Sequence, residues 1–131
     1  MNNSEILADL SKSIGESLHA RHLDHFKNIS LSFYIELHTE REAKHMCKSL
    51  ELQGFDTDID AFEQHNNKWR CWANISVVPN KQNLIWLEVL LTVKCQDFNG
   101  ELVSWETNPF ESGQELGQML AKFEMQYRQV I

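Results

Sequence analysis

The stretch from Lys68 to Pro79, KWRCWANISVVP, constrains the fold of this chain more than any other part of the sequence. Its residues alternate between two sets, one apolar and one mostly polar, as in a strand that is buried on one face only. Pro79 ends the strand because proline cannot donate a hydrogen bond to a neighbouring strand and keeps Val78 extended. The pattern predicts a sheet that is covered on one side and open on the other. The covered side is expected to carry Trp69, Cys71, Ala73, Ile75 and Val77, and the open side Lys68, Arg70, Trp72, Asn74 and Ser76.

The length and charge of the chain limit what it can do. A chain of 131 residues without linkers or repeats is expected to form one domain with its own core. Its net charge of −7 argues against direct binding of nucleic acid, since that affinity comes mainly from Lys and Arg, and favours basic or polar protein partners. Three cysteines without metal-ligand spacing indicate reduced thiols in or near the core of a cytoplasmic protein. No signal peptide and no membrane-spanning run are recognised, so we expect no membrane partner.

Four strands and four helical segments can be assigned from the hydrophobic periodicity. Two helices have clear start and stop signals. One opens with the capping box Thr39 to Glu42 and ends at Gly54, and the other runs from an N-cap at Asn80 to Asn99-Gly100. The terminal helices are predicted from about Ser4 to Phe26 and from Asn108 to the end of the sequence. The predicted strands are 29–37, 55–62, the stretch from Lys68 that Pro79 ends, and 101–107.

This order of elements predicts a ferredoxin-like α/β (α+β) sandwich, a split βαβ fold with a four-stranded antiparallel sheet in the order 4-1-3-2. The organisation is then an N-terminal helix (1–28), a ferredoxin-like domain (29–107) and a C-terminal helix (108–131) packed on the same domain. In the last strand, simple alternation places Val103 and the core anchor Trp105 on one face. It places Leu102, Ser104 and Glu106 on the other.

The helix after Asn80 is apolar over more than one side. One stripe contains Leu84, Leu87, Leu91, Cys95 and Phe98, and a second, further round the helix, contains Trp86, Leu90 and Val93. A helix of this kind has to be covered on more than its sheet side. We therefore expect a terminal helix, or a second copy of the chain in a homodimer, to lie against the second stripe.

Three aspartates alternate along the second predicted strand, in the sequence FDTDIDAF. Their spacing is not that of a calcium loop, because Ala61 stands at position six and Asn67 at position twelve, where glycine and glutamate are required. A spacing of two instead places Asp56, Asp58 and Asp60 on one strand face. If this strand pairs with the next through the intervening turn, Asp60 lies near Arg70 and Asp58 near Trp72.

Three short motifs resemble one protein family. They are Gly54-Phe55 at the start of the second strand, Val78-Pro79 before an apolar helix, and Gly100-x-x-x-x-Trp105-Glu106 in the last strand. In this respect residues 29–107 resemble the regulator of ribonuclease E activity, type B, a family of small, acidic, cytoplasmic bacterial proteins. The family usually has Tyr-Asp-Gly-Trp where this chain has Leu102-Val103-Ser104-Trp105. The resemblance implies a non-catalytic inhibitor that binds an endoribonuclease and modulates RNA turnover.

Three classes of function can be compared from the residues. No phosphate-binding glycine loop, HExxH or GxSxG motif is present, so we expect neither an enzyme nor a bound metal or cofactor. Tyr34 and Trp72 on adjacent strands resemble the stacking aromatics of RNA-binding sheets, and single-stranded nucleic acid or a small ligand on the open face is the alternative. A terminal helix over these two rings is a third interpretation. The preferred prediction is a protein-binding module whose partner contacts Tyr34, Asp56, Asp58, Asp60, Arg70, Trp72, Trp105 and Glu106.

Overall fold

A computed structural model describes residues 4–23, 28–63 and 68–108 of the chain. Four strands, β1 Ile29–Leu37, β2 Asp56–Glu63, β3 Lys68–Val77 and β4 Glu101–Asn108, form one antiparallel sheet in the order β2-β3-β1-β4. The predicted α/β sandwich and its strand order are therefore confirmed, with β3 and β1 as the central strands. The predicted C-terminal helix lies outside the described residues. The described helices are α1 Ser4–Ala8, α2 Leu10–Ala20, α3 Glu40–Glu51 and α4 Lys81–Phe98.

One face of the sheet carries the core. The residues of β1 are alternately buried and half-buried along the whole strand, as expected of a strand that is covered on one side. In β3, Cys71, Ala73 and Val77 are buried, and Trp69 and Ile75 are partly buried against the same core. The two faces predicted for β3 are thus confirmed. The opposite side of the sheet, called the open face below, carries Tyr34 and Glu36 from β1 and Arg70 and Trp72 from β3.

The predicted signals at both ends of α3 are present. The Thr39 hydroxyl accepts a hydrogen bond from the Glu42 N–H at 3.0 Å, which satisfies one of the free donors at the helix start. At the other end, Gly54 adopts a positive φ of 101° and the Phe55 N–H donates to the Leu50 carbonyl at 3.2 Å. This is the hydrogen-bond pattern of a Schellman motif with a left-handed glycine. It directs the chain into β2.

The single N-terminal helix that was predicted is divided at Asp9 into α1 and α2, and it ends earlier than predicted. α2 stops at Ala20, six residues before Phe26, and His22 has a φ of 60°. The Leu23 N–H donates to the Leu18 carbonyl at 2.8 Å, which closes the helix in the same way as at Gly54. Leu23 is thereby folded back into the core. The prediction was wrong because a histidine, and not a glycine, occupies the left-handed position.

A β-bulge changes the two faces of β4. Tyr34 pairs with Ser104 but Ile35 pairs with Leu102, so the register shifts by one residue around Val103. Leu102 therefore points into the core and is fully buried. The prediction that placed Leu102 with Ser104 on the other face was wrong, because an extra residue in one strand reverses the alternation beyond it.

The apolar helix α4 is covered on two sides. Leu84, Leu87, Leu91 and Cys95 are buried. The N-terminal helix α2 packs beside α4, and the Ser11 N–H donates to the Glu88 carboxylate at 2.8 Å. The outer stripe stays between 40% and 56% exposed in the described part of the chain, and the homodimer through it stays a prediction. This outer stripe consists of Ile85, Trp86, Val89 and Val93. Leu90, which was predicted to belong to the second stripe, is instead partly buried against the core.

Candidate functional site

The three aspartates lie on an outer strand of the sheet. β2 pairs with β3 on one side, and no strand pairs with its other side among the described residues. Asp56, Asp58 and Asp60 are all exposed, and we call them the acidic edge. The observed register joins Asp58 to Trp72 and Asp60 to Arg70, as the sequence predicted. The carboxylates therefore form the rim of the open face.

The acidic edge combines negative charge with accessible backbone. An outer strand presents backbone N–H and C=O groups along the side that has no neighbour. At the centre of β2, the Asp58 carboxylate accepts a hydrogen bond from the Ile59 N–H at 3.0 Å. An incoming strand would have to replace this local bond before it could use the Ile59 N–H for a main-chain hydrogen bond, while the side chains on either side select its sequence. The chemistry of this edge suits an extended segment that carries Lys or Arg.

Two aromatic rings occupy the middle of the open face. Tyr34 and Trp72 pack edge to face, with ring centroids 4.9 Å apart and an angle of 88° between the rings. The Tyr34 hydroxyl donates a hydrogen bond to the Glu106 carboxylate on β4. Burial, and then the bond to Glu106, raise the pKa of Tyr34 above its ordinary value. Tyr34 is therefore held in place by contacts with β3 and β4, whereas Trp72 keeps 38% of its surface exposed.

The end of the open face contains a partly buried group of charges. The Glu36 carboxylate lies 3.3 Å from the Lys68 ammonium and 3.9 Å from the Arg70 guanidinium. The Glu36 side chain is only 15% exposed, so water screens these pairs less than it screens pairs at a fully exposed surface. Arg70 therefore contacts Glu36 across the β1–β3 pair as well as facing Asp60 across the β2–β3 pair. It joins the acidic edge to the centre of the sheet.

Most of the predicted site residues share one surface. Trp105 does not, because it pairs with Phe33 on the covered side of the sheet and packs partly buried against the core. Its neighbour Glu106 points to the open face, where it meets Tyr34. The predicted residues that the fold brings together are Tyr34, Asp56, Asp58, Asp60, Arg70, Trp72 and Glu106.

Sequence reasoning did not single out Glu36 and Lys68 as members of the site. Both are half-buried, and they enter it through the β1–β3 pairing, which joins Glu36 to Arg70 and Leu37 to Trp69. The strands are more than 30 positions apart in the sequence. The alternation of β1 places Glu36 on the same face as Tyr34. Together with the β1–β3 register, this alternation is the sequence signal that could have identified Glu36 as a site residue.

The described residues were also compared for clefts and for groups of metal ligands. A groove of about 340 Å³ separates the start of α4 from α2, with Lys12 and Lys81 among its lining residues. It is on the helical side of the sheet, away from the open face. Within residues 4–23, 28–63 and 68–108, no three His, Cys, Asp or Glu side chains are placed to hold a metal ion. No described helix has the length and apolarity needed to cross a membrane.

Comparison of the sequence with protein-family models and with curated proteins found no match. The resemblance to the regulator of ribonuclease E activity, type B, therefore stays a prediction. What the residues themselves place on the surface is an acidic outer strand beside a polar face with two aromatic rings.

Proposed function

We propose that this protein is a non-catalytic cytoplasmic regulator that binds a basic segment of a partner protein along the acidic edge. The observation that carries the proposal is the placement of three exposed carboxylates at alternate positions of an outer strand. Following the resemblance, the proposed partner is an endoribonuclease or a protein assembled with it. Binding would then modulate RNA turnover without any chemical step on this chain.

The electrostatics of the chain support this choice of partner. Its net charge is −7, and the acidic edge adds a local concentration of negative charge to that overall balance. Charge of this kind attracts a partner of opposite sign, raises the association rate and disfavours partners of like charge. Lys68 and Arg70 both contact the inner carboxylate of Glu36, which offsets part of their positive charge beside the acidic edge.

A second candidate function is the binding of single-stranded nucleic acid or a small ligand on the open face. Trp72 favours it, because its ring is 38% exposed and can stack on a base. The surroundings oppose it. The Tyr34 ring stands perpendicular to that of Trp72, and the carboxylates of Glu36 and Glu106 would repel phosphates. Submicromolar RNA binding at physiological salt that is lost in the Tyr34→Ala/Trp72→Ala variant would replace our proposal with this alternative.

Affinity capture from the native host tests the proposal. The tagged protein is used as bait in a nuclease-treated lysate, so that proteins bridged by RNA are removed. We expect an endoribonuclease or a component of its assembly to be retained by the wild type and lost with the variant Asp56→Asn/Asp58→Asn/Asp60→Asn.

A matched control removes the same number of charges elsewhere. Glu16, Asp97 and Glu101 are exposed carboxylates that lie outside β2, and the variant Glu16→Gln/Asp97→Asn/Glu101→Gln should capture as the wild type does. Equal capture by the acidic-edge variant would reject the acidic edge as the binding surface. If no ribonuclease-associated protein is captured, the partner inferred from the resemblance is wrong.

A further inference from the structure

Two of the three cysteines are in direct contact in the core. Cys47 lies on the inner side of α3 and Cys71 in the middle of β3, and their sulfur atoms are 2.8 Å apart. Both are free thiols. The third cysteine, Cys95, is on α4 and is also buried. The contact joins a helix to the central part of the sheet, between residues 24 positions apart in the chain.

The geometry favours a covalent bond between these two sulfur atoms. The S–S distance in a disulfide is about 2.05 Å, so Cys47 and Cys71 need to approach by less than one ångström. Cys71 is held on both sides by paired strands, opposite Ile35 and Ile59. Cys47 is on α3, which packs against β3, so the remaining approach is expected to come from the Cys47 side chain.

The two thiols have different environments. Cys47 keeps 6% of its surface exposed and its sulfur lies 3.8 Å from the Asp58 carbonyl of the outer strand, whereas Cys71 is completely buried. The hydrogen bond with Cys71 lowers the pKa of Cys47. The same bond, together with burial, raises the pKa of Cys71. Burial also raises the pKa of Cys95, to about 12. Cys47 is therefore the thiol that ionises first and the one that a small oxidant meets first.

We propose that Cys47 and Cys71 form a redox-modification site whose substrate is hydrogen peroxide and whose product is an intramolecular disulfide. The Cys47 thiolate attacks one peroxide oxygen, the O–O bond breaks, and hydroxide leaves as water with the proton released by the thiol. The Cys71 sulfur then attacks the sulfur of the resulting sulfenic acid, and its own proton leaves with the displaced hydroxide as a second water. Two thiols are thus oxidised and one peroxide is reduced to two waters.

This site is independent of the proposed partner and is tested on the purified chain. Reduced wild-type protein is exposed to hydrogen peroxide, quenched with acid, denatured and alkylated, and its mass is measured. We expect two of the three cysteines to lose their ability to be alkylated. Peptide mapping should find Cys47 linked to Cys71, and treatment with dithiothreitol should restore all three alkylation sites.

Three variants separate this site from general thiol oxidation. Cys95→Ala should still lose two alkylatable thiols after peroxide treatment. Cys47→Ala should form no intramolecular disulfide. In Cys71→Ala, Cys47 should accumulate as a sulfenic acid that dimedone traps. Circular dichroism checks that each variant is folded. If Cys71→Ala does not fold, the peptide map of the oxidised wild type still shows whether Cys47 is linked to Cys71. Full alkylation after peroxide, a disulfide that includes Cys95, a link between two chains, or sulfinic acid at Cys47 without a link would each overturn the proposal.

Discussion

Tyr34 is the residue whose chemistry the open face changes most. Its hydroxyl is bonded to the Glu106 carboxylate, and its pKa is raised by burial first and by Glu106 second. An acid whose pKa is raised in the folded state stabilises the fold below its ordinary pKa of about 10, and that contribution is lost as the pH rises through the folded-state value. The loss therefore occurs in alkaline solution and not near neutrality.

Replacing Glu106 should make Tyr34 easier to ionise. The chain has two tyrosines, so the titration is followed by tyrosinate absorbance in a Tyr127→Phe background. We expect Glu106→Gln to shift the transition to lower pH, because the negative charge that opposes tyrosinate is removed. Glu101→Gln, an exposed carboxylate on the same strand, is the control and should leave the transition unchanged. Identical transitions in the wild type and Glu106→Gln would show that the two side chains do not interact in solution.

Within α4, the inner and outer apolar residues should contribute very differently to stability. Leu91 is completely buried, whereas Val89, two positions earlier, is 56% exposed. Leu91→Ala removes packed methyl groups and should lower the free energy of unfolding by about 2–5 kcal/mol. Val89→Ala should change it by less than about 0.5 kcal/mol, since surface substitutions rarely do more.

Urea denaturation of the two α4 variants measures both values. Similar losses in Leu91→Ala and Val89→Ala would mean that the outer stripe is covered in solution by something other than the described elements. A loss close to zero for Leu91→Ala would contradict the position of α4 on the sheet. The two substitutions are on one helix and differ mainly in burial, so helix propensity alone cannot explain a large difference between them.

The elements of the fold could be predicted because each carries a local signal. Alternation identifies β1 and β3, and the residues Thr39, Gly54 and Asn80 mark helix ends by their capping chemistry. Two features lacked such a signal. The register shift beside Leu102 inserts one residue without a glycine or proline to mark it. The end of α2 depends on a left-handed His22, a conformation that tertiary packing of Leu23 supports.

The candidate site could be predicted only in part, for the same physical reason. The pairing of Asp60 with Arg70 follows from one turn between adjacent strands, so the sequence was sufficient to predict it. The bond between Tyr34 and Glu106 joins residues 72 positions apart and depends on the register of the β1–β4 pair, which no turn between adjacent strands fixes. The side of the sheet on which Trp105 lies is likewise set by the pairing of β4 with β1. Its indole lies on the covered side of the sheet, so an effect of Trp105 on binding would act through packing.

Negative charge acts in two ways in the molecule as a whole. An overall charge of −7 acts at long range and is screened beyond about 10 Å at 0.1 M salt. The acidic edge acts at short range. Its three carboxylates lie along one outer strand of the sheet, so they attract positive charge to that strand in particular. A partner guided only by net charge would be weakened to the same extent whichever three acidic residues are neutralised. A partner that binds along β2 would be weakened mainly by the loss of Asp56, Asp58 and Asp60.

The decisive measurement for the acidic edge is the rate of association with the partner protein retained in the affinity capture, taken at increasing ionic strength. For the wild type we expect a rate that falls steeply with salt. For Asp56→Asn/Asp58→Asn/Asp60→Asn we expect a rate about tenfold lower at low salt and a weaker salt dependence. The control Glu16→Gln/Asp97→Asn/Glu101→Gln should follow the wild type. Equal rates and equal salt dependence for the acidic-edge variant and the wild type would contradict binding through the acidic edge.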